Sequence, residues 1–85
     1  MNKKKDIKSY NDKEERHGYW ESYWYNSNLW YKGYYKDGKL DGLWELYHDN
    51  GNLWGKGNFK DGNRDGYWEW YHYNGNLDCK GYYIN

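Results

Sequence analysis

The sequence predicts an all-β fold: one antiparallel β-meander built of stacked β-hairpin repeats with a 24-residue period. Three observations carry this. Gly18, Gly42 and Gly66 stand 24 residues apart, and the segments that follow them are alike. Turn dipeptides alternate along the chain: Asn50-Gly51 and Asn74-Gly75 mark one kind of turn, Asp37-Gly38 and Asp61-Gly62 the other. Both pairs tolerate positive φ and are strong hairpin signals. The stretches between turns are rich in aromatics and free of Pro, which suits strands.

The repeat organises the chain into a Lys-rich N-terminal tail, residues 1–17, and one repeat domain, 18–85, divided as 18–41, 42–65 and 66–85. Nine columns are identical in all three copies: the leading Gly, Trp20/44/68, Glu21/45/69, Tyr23/47/71, Asn26/50/74, Asn28/52/76, Leu29/53/77, Lys32/56/80 and Gly33/57/81. A period of this length marks supersecondary units that bury their surface by stacking on neighbours.

Each element then follows. The tail has only Ile7 and Tyr10 as apolar anchors, so poor order is expected before about residue 10. Each copy supplies a strand from its Gly-x-Trp-Glu-x-Tyr segment, an Asn-Gly turn, a second strand and an Asp-Gly turn. Ser27 replaces the turn Gly in the first copy, which predicts a weaker or longer turn there. A two-residue Asn-Gly loop pairs Glu21 with Lys32, Glu45 with Lys56 and Glu69 with Lys80. It also sets Trp20, Trp44 and Trp68 opposite Gly33, Gly57 and Gly81. Opposite charges and a ring over a bare glycine are favourable cross-strand pairs. A three-residue loop with a bulge shifts the pairing by one. The first register puts the Trp column, Leu29, Leu53, Leu77, Tyr35, Phe59 and Tyr83 on a packing face. Tyr19, Tyr23, Tyr25, Trp30, Tyr34, Tyr47, Trp54, Tyr67, Tyr71 and Tyr73 fall on the other, among the Glu–Lys pairs. Rings covering one another account for that second face as readily as recognition does.

Composition narrows the function. Thirteen Tyr and seven Trp, against no Ala, Val, Thr, Pro or Gln, mean that stability must come from aromatic packing. Disordered segments are poor in aromatics, so residues 18–85 are expected to fold. The formal net charge is zero, which argues against nucleic-acid binding by counterion release. No stretch reads as a membrane span, and a membrane partner is not favoured. Cys79 has no partner for an internal disulfide, and Lys3, Lys4 and Lys5 lead into Asp6 rather than an apolar run. A cytoplasmic location is therefore expected.

The residues that suggest chemistry have simpler readings, and no catalytic, cofactor-binding or metal-binding residue is assigned. His48 and His72 are equivalent repeat positions without a second ligand at metal spacing. Glu21, Glu45 and Glu69 have Lys partners. Asp61-x-Asn63-x-Asp65-Gly66 imitates the start of a calcium loop, but its twelfth position is His72 where a bidentate Glu is needed. Cys79 has no evident base beside it.

Tyr31-Lys-Gly-Tyr-Tyr-Lys-Asp-Gly-Lys-Leu-Asp-Gly42 and Gly55-Lys-Gly-Asn-Phe-Lys-Asp-Gly-Asn-Arg-Asp-Gly66 resemble MORN repeats. Arg16-His17-Gly18 resembles the end of a degenerate earlier copy. The form with Gly-x-Trp-Glu-x-Tyr before the Asn-Gly turn is similar to the bacterial YwqK-family antitoxin type. The resemblance implies a hairpin array acting by contact with protein or membrane partners.

The expected function is therefore that of a non-enzymatic binding module, inhibitor or antitoxin in type, encoded by a phage or mobile element. Its expected partner is a protein, a toxin or a defence nuclease. Residues that vary between copies are the candidate contacts: Trp24, Tyr25, Trp30, Tyr31, Trp54, Trp70 and Tyr73, of the types that dominate interfaces. Carbohydrate, choline or lipid-headgroup binding on aromatic platforms is the alternative. The last strand, Leu77–Ile84, is expected to offer an edge for a homodimer or a partner strand.

Overall fold

A computed structural model describes residues 5–83. Six strands follow one another in a single antiparallel sheet whose spatial order is the sequence order. They are β1 (Gly18–Tyr23), β2 (Leu29–Lys36), β3 (Lys39–Tyr47), β4 (Leu53–Lys60), β5 (Asn63–Tyr71) and β6 (Leu77–Tyr83). The meander is as predicted. Ile84 of the expected edge strand lies outside the described residues. So do residues 1–4 of the tail. Among the described residues no helix is long and apolar enough to cross a membrane.

The register pairs hold in every copy: Glu21 with Lys32, Glu45 with Lys56, Glu69 with Lys80, and Trp20, Trp44 and Trp68 with their glycines. The loop that produces them differs from the two-residue form. Trp24 N–H donates to Asn28 O and Ser27 N–H to Trp24 O, at 2.8 and 2.9 Å, so three residues form the loop. The other copies repeat this from His48 and His72. A bulge then follows, because Tyr23 pairs with Leu29 while Ser22 pairs with Tyr31. The same shift recurs beside Trp54 and Asp78. Three-residue loop and bulge cancel, so the pairs beyond them match those of a simple hairpin. One consequence corrects the face assignment. Leu29, Leu53 and Leu77 now pair with Tyr23, Tyr47 and Tyr71, on the face opposite the Trp column.

Ser27 does not lengthen its turn. It takes φ 72° where Gly51 and Gly75 take 92° and 93°, and its loop has the same length. The Asp-Gly turns are two-residue loops with both residues at positive φ: 47° and 89° at Asp37-Gly38, 51° and 84° at Asp61-Gly62.

The sheet is one layer, with principal extents of 44 × 41 × 11 Å. Among the described residues no second layer covers it, so the core is a run of rings lying on one face, the indole face. Trp20 and Trp68 are its buried members. Trp44 stacks on Tyr31 at 5.0 Å and meets Phe59 edge-on at 5.7 Å. Phe59 in turn meets Trp68 at 5.1 Å, and Trp68 stacks on Trp70 at 5.3 Å. The rings lean toward the preceding repeat. Trp68 lies over Gly57 and Trp44 over Gly33, whereas Gly81 has nothing above it.

Residues 5–10 also depart from expectation. Instead of remaining loose they lie along the outer edge of β1. Ile7 exchanges both backbone hydrogen bonds with Glu21, at 2.8 and 3.1 Å. Ser9 O accepts the Trp20 indole N–H at 2.9 Å, and Tyr10 packs edge-on against Trp20 at 5.3 Å. The anchors Ile7 and Tyr10 suffice because the outer edge of β1 bonds Ile7 and the Trp20 indole holds Ser9 and Tyr10.

Candidate functional site

Two faces and one rim divide the polar and aromatic side chains. On the face opposite the indoles, Glu21 and Glu69 are each bracketed by tyrosines two residues away. Glu21 accepts from Tyr19 and Tyr23, Glu69 from Tyr67 at 3.0 Å and Tyr71 at 2.9 Å. In the middle copy Leu43 replaces the first tyrosine, so Glu45 accepts from Tyr47 at 2.8 Å and pairs with Lys32 at 3.2 Å. Burial works against its charge, but the bonds from Tyr47 and Lys32 prevail and hold its carboxyl below the usual range. The bonds from Tyr71 and Tyr67 lower Glu69 likewise. Burial, reinforced by the bond to Glu45, pushes Tyr47 up to about 12. A general acid or base needs a pKa near the working pH. These shifts move both partners away from neutrality, which fits a structural network. Shallow depressions of about 310 and 320 Å³ flank Leu43 on this face.

On the indole face, the repeat cations sit on the rings. Arg16 lies 4.7 Å from the Trp20 ring and 5.4 Å from Tyr35, whose hydroxyl it meets at 3.1 Å. Arg64 repeats this over Trp68, Trp70 and Tyr83 at 5.6, 4.9 and 5.3 Å. The chain's own guanidinium groups thus occupy the positions that a choline-type ligand would take on those rings.

The rim lies at the Asn-Gly turns. Trp24 packs on Trp30 at 4.8 Å, and its indole N–H donates to Tyr47 O at 2.9 Å. One repeat later His48 stacks on Trp54 at 4.6 Å, and its Nε2 meets Tyr71 O at 3.1 Å. Tyr73 meets His48 edge-on at 5.3 Å, and its hydroxyl donates to Asp49 at 2.8 Å. The outcome is a row of rings along one end of the sheet. Tyr25 is 71% exposed and Tyr73 58%, while Trp30 and Trp54 are each 38% exposed.

Of the seven candidate contact residues, five therefore converge: Trp24, Tyr25, Trp30, Trp54 and Tyr73. Tyr31 adjoins them, meeting Trp30 edge-on at 5.5 Å, but it is half-buried and also stacks on Trp44 of the indole face. Trp70 lies apart, half-buried against Trp68, because alternation along β5 sets the two side by side.

Sequence reasoning missed the role of the paired asparagines. Asn26 and Asn28 both donate to Asp49 O, at 2.7 and 2.8 Å; Asn50 and Asn52 both donate to Tyr73 O, at 2.8 and 3.0 Å. The first of each pair also accepts the backbone N–H of the second. Their invariance among the copies was the available signal. With the ring nitrogens of Trp24 and His48, they tie each turn to the next. Among the described residues no three of His, Cys, Asp and Glu gather as a metal site would require, and Cys79 is exposed.

The model of the MORN repeat variant family matches residues 16–37, 40–61 and 64–85, keeping the 24-residue step. No curated protein and no solved structure shows significant similarity to the chain. Three tandem matches over most of the chain, on a meander of hairpins with that step, establish that the chain belongs to the MORN repeat variant family, whose repeats generally bind protein or membrane partners.

Proposed function

We propose that the chain is a non-catalytic protein-binding module of the cytoplasm, and that it recognises its partner through the rim of rings at the Asn-Gly turns. The observation that carries this is the grouping of Tyr25, Trp30, Trp54 and Tyr73, all exposed, along one end of the sheet. Rigid amphipathic rings beside adaptable Asn and Asp groups make an interface surface of low ordering cost. The ring nitrogens and asparagines beneath join the repeats through backbone carbonyls, so most of the row's ring surface stays open to a partner. As the finer reading, the partner is a toxin or a defence nuclease, and the chain acts as its inhibitor in a phage or mobile-element setting. The resemblance of the Gly-x-Trp-Glu-x-Tyr form to the YwqK-family antitoxin type supports that step.

The test is differential capture from the native host. Three baits are used: the unaltered chain, the triple variant Tyr25→Ser/Trp54→Ser/Tyr73→Ser, and Tyr82→Ser, which alters an exposed ring away from the rim. A protein retained by the first and third baits and lost by the second is the expected result. It should also be inhibited or neutralised when mixed with the chain. Capture that survives the triple variant but fails with Tyr82→Ser moves recognition to the face opposite the indoles and overturns the proposal.

A further inference from the structure

Each junction between consecutive repeats is built from the same contacts. A ring nitrogen on the first repeat, Trp24 or His48, meets a backbone carbonyl on the next, Tyr47 or Tyr71. Two asparagines donate to the carbonyl two residues further on. A lysine faces the glutamate of the next first strand, as Lys32 faces Glu45 and Lys56 faces Glu69. An indole from that strand lies over a glycine, Trp44 over Gly33 and Trp68 over Gly57. The Trp68 N–H also donates to Asn58 O at 2.9 Å.

The third repeat carries the giving half of this junction: His72, Asn74, Asn76, Lys80 and Gly81. Nothing lies within 4 Å of where a Gly81 side chain would begin, and β6 is exposed along its length. The receiving half, Trp20, Glu21 and the carbonyls of Tyr23 and Tyr25, belongs to β1 and its turn. Residues 5–10 cover that half. Ile7 bonds Glu21, Asp6 accepts the Tyr23 N–H at 3.1 Å, and Ser9 O takes the Trp20 indole as Asn58 O takes that of Trp68. They imitate the second strand of a preceding repeat, one residue out of step: the 24-residue interval would set Lys8, not Ile7, opposite Glu21.

We propose that β6 accepts β1 of a second copy in a head-to-tail junction that repeats the internal ones, and that residues 5–10 are an intramolecular cap which blocks it. The partner is identified by complementarity: a strand reading Gly-x-Trp-Glu-x-Tyr, followed by the turn that the free asparagine pair fits. Such a contact is heterologous, so it grows beyond a dimer into an open chain or a ring of copies. Edge strands that would otherwise recruit one another are commonly covered in this way. The inference does not depend on what the rim binds.

The test uses the full chain in three forms: unaltered, Asp6→Ala/Ile7→Pro, and Asp6→Ala/Ile7→Pro with Gly81→Val. Pro at position 7 removes the N–H that bonds Glu21 O. Light scattering and sedimentation are followed against concentration. The unaltered chain is expected to stay monomeric over the range in which the uncapped form grows beyond a dimer. Association should strengthen at least about tenfold, as loss of about 1.4 kcal/mol of competition would give. Gly81→Val should abolish that growth, because its side chain occupies the seat of the incoming Trp20 ring while its Cβ enters open space in the isolated chain. An uncapped form that is folded and monomeric throughout overturns the proposal. So does growth that Gly81→Val leaves intact, or an association that stops at a dimer and ignores the cap, which means symmetric pairing of two β6 edges. If uncapping unfolds the chain by circular dichroism, residues 5–10 belong to the fold and are no cap.

Discussion

Gly33, Gly57 and Gly81 share one repeat column, yet adding a single methyl group to each should have three different effects. At Gly57 the new carbon would lie 2.1 Å from Trp68 Cδ2 and 2.3 Å from Cε2. Carbon atoms settle at about 3.5–4.0 Å, so the indole must retreat by about 1.5 Å. It has little room, being 2% exposed, bonded through its N–H to Asn58 O and held between Phe59 and Trp70. Overpacking costs about 1–3 kcal/mol, and a strained or broken indole bond adds about 1 kcal/mol, so Gly57→Ala should lose about 3 kcal/mol. Gly33→Ala meets Leu43 O and Trp44 Cε3 at 3.3 Å, which a shift of a few tenths of an ångström relieves. About 1 kcal/mol is expected there. Gly81→Ala meets nothing and should gain up to about 0.4–1 kcal/mol through a less flexible unfolded chain. Urea unfolding followed by circular dichroism measures all three with the aromatic complement unchanged. For a chain of this size total stability is about 4–13 kcal/mol, so the first loss is easily resolved. Three midpoints within about 0.5 kcal/mol of one another, at equal slopes, would refute the account of the ring seats.

Two further outcomes are expected. Ser27→Gly should stabilise the chain by about 1 kcal/mol, because an L-residue at φ 72° bears a left-handed cost that Gly avoids; an unchanged urea midpoint would mean the first turn relaxes away from that conformation. Tyr47 is raised by burial and by its bond to Glu45 to about 12, and burial followed by Glu21 raises Tyr19 in the same direction. The folded state therefore holds these protons more tightly than the unfolded chain does. Their contribution to stability is intact below pH 10 and is lost as pH climbs through the raised values. Glu45, lowered by its bonds, behaves in the opposite sense: its contribution is present above the ordinary carboxylate range and fades as pH falls through the lowered value. Tyrosinate absorbance should rise in two phases, with Tyr47→Phe removing amplitude from the upper one. A single phase near pH 10 would contradict the network.

The register was legible because two independent pairings, Glu with Lys and Trp with Gly, agree in three copies. What stayed hidden is the combination of a three-residue loop with a bulge beside Trp30, Trp54 and Asp78. The two irregularities cancel beyond Ser22, so the very pairs that test the register cannot detect them. Their effect is confined to residues near the turn, where Leu29 changes face and the Trp30 ring comes to lie edge-on to Tyr31. The rim was legible only in part: Trp24, Tyr25, Trp30, Trp54 and Tyr73 line it, Tyr31 joins it to the indole face by touching both Trp30 and Trp44, and Trp70 serves the indole face alone. The tail was misread on composition. Its two apolar anchors are few for a free segment, but the edge of β1 bonds Ile7 and the Trp20 indole packs on Tyr10, and two anchors then suffice.

Variation between copies was the reason for choosing contact residues, and the structure refines that reason. Trp24 and His48 differ in type, yet each uses a ring nitrogen to bond a carbonyl of the next repeat. Both can donate from a flat ring at the same place, so the column varies while its junction role persists. Arg16 and Arg64 likewise cover rings, with Leu40 between them in sequence. Variation alone therefore does not mark a surface as free for recognition; a residue must vary and also be spared by the junctions. Tyr25 meets both conditions; Tyr73 varies and is exposed, but it also bonds Asp49 and packs on His48 across its junction. The two tyrosines are the most exposed rings of the rim, and the repeat that separates them carries Asp49 in their column. A partner reading this row from end to end meets Tyr, Asp and Tyr at steps of two strands, about 10 Å apart. The asparagines beneath bond only the backbone carbonyls of Asp49 and Tyr73, while the Tyr73 hydroxyl adds a side-chain bond to Asp49. Side chains in this column can therefore change with the partner while the asparagine bonds of the junction stay in place, at the loss of the Tyr73–Asp49 bond alone.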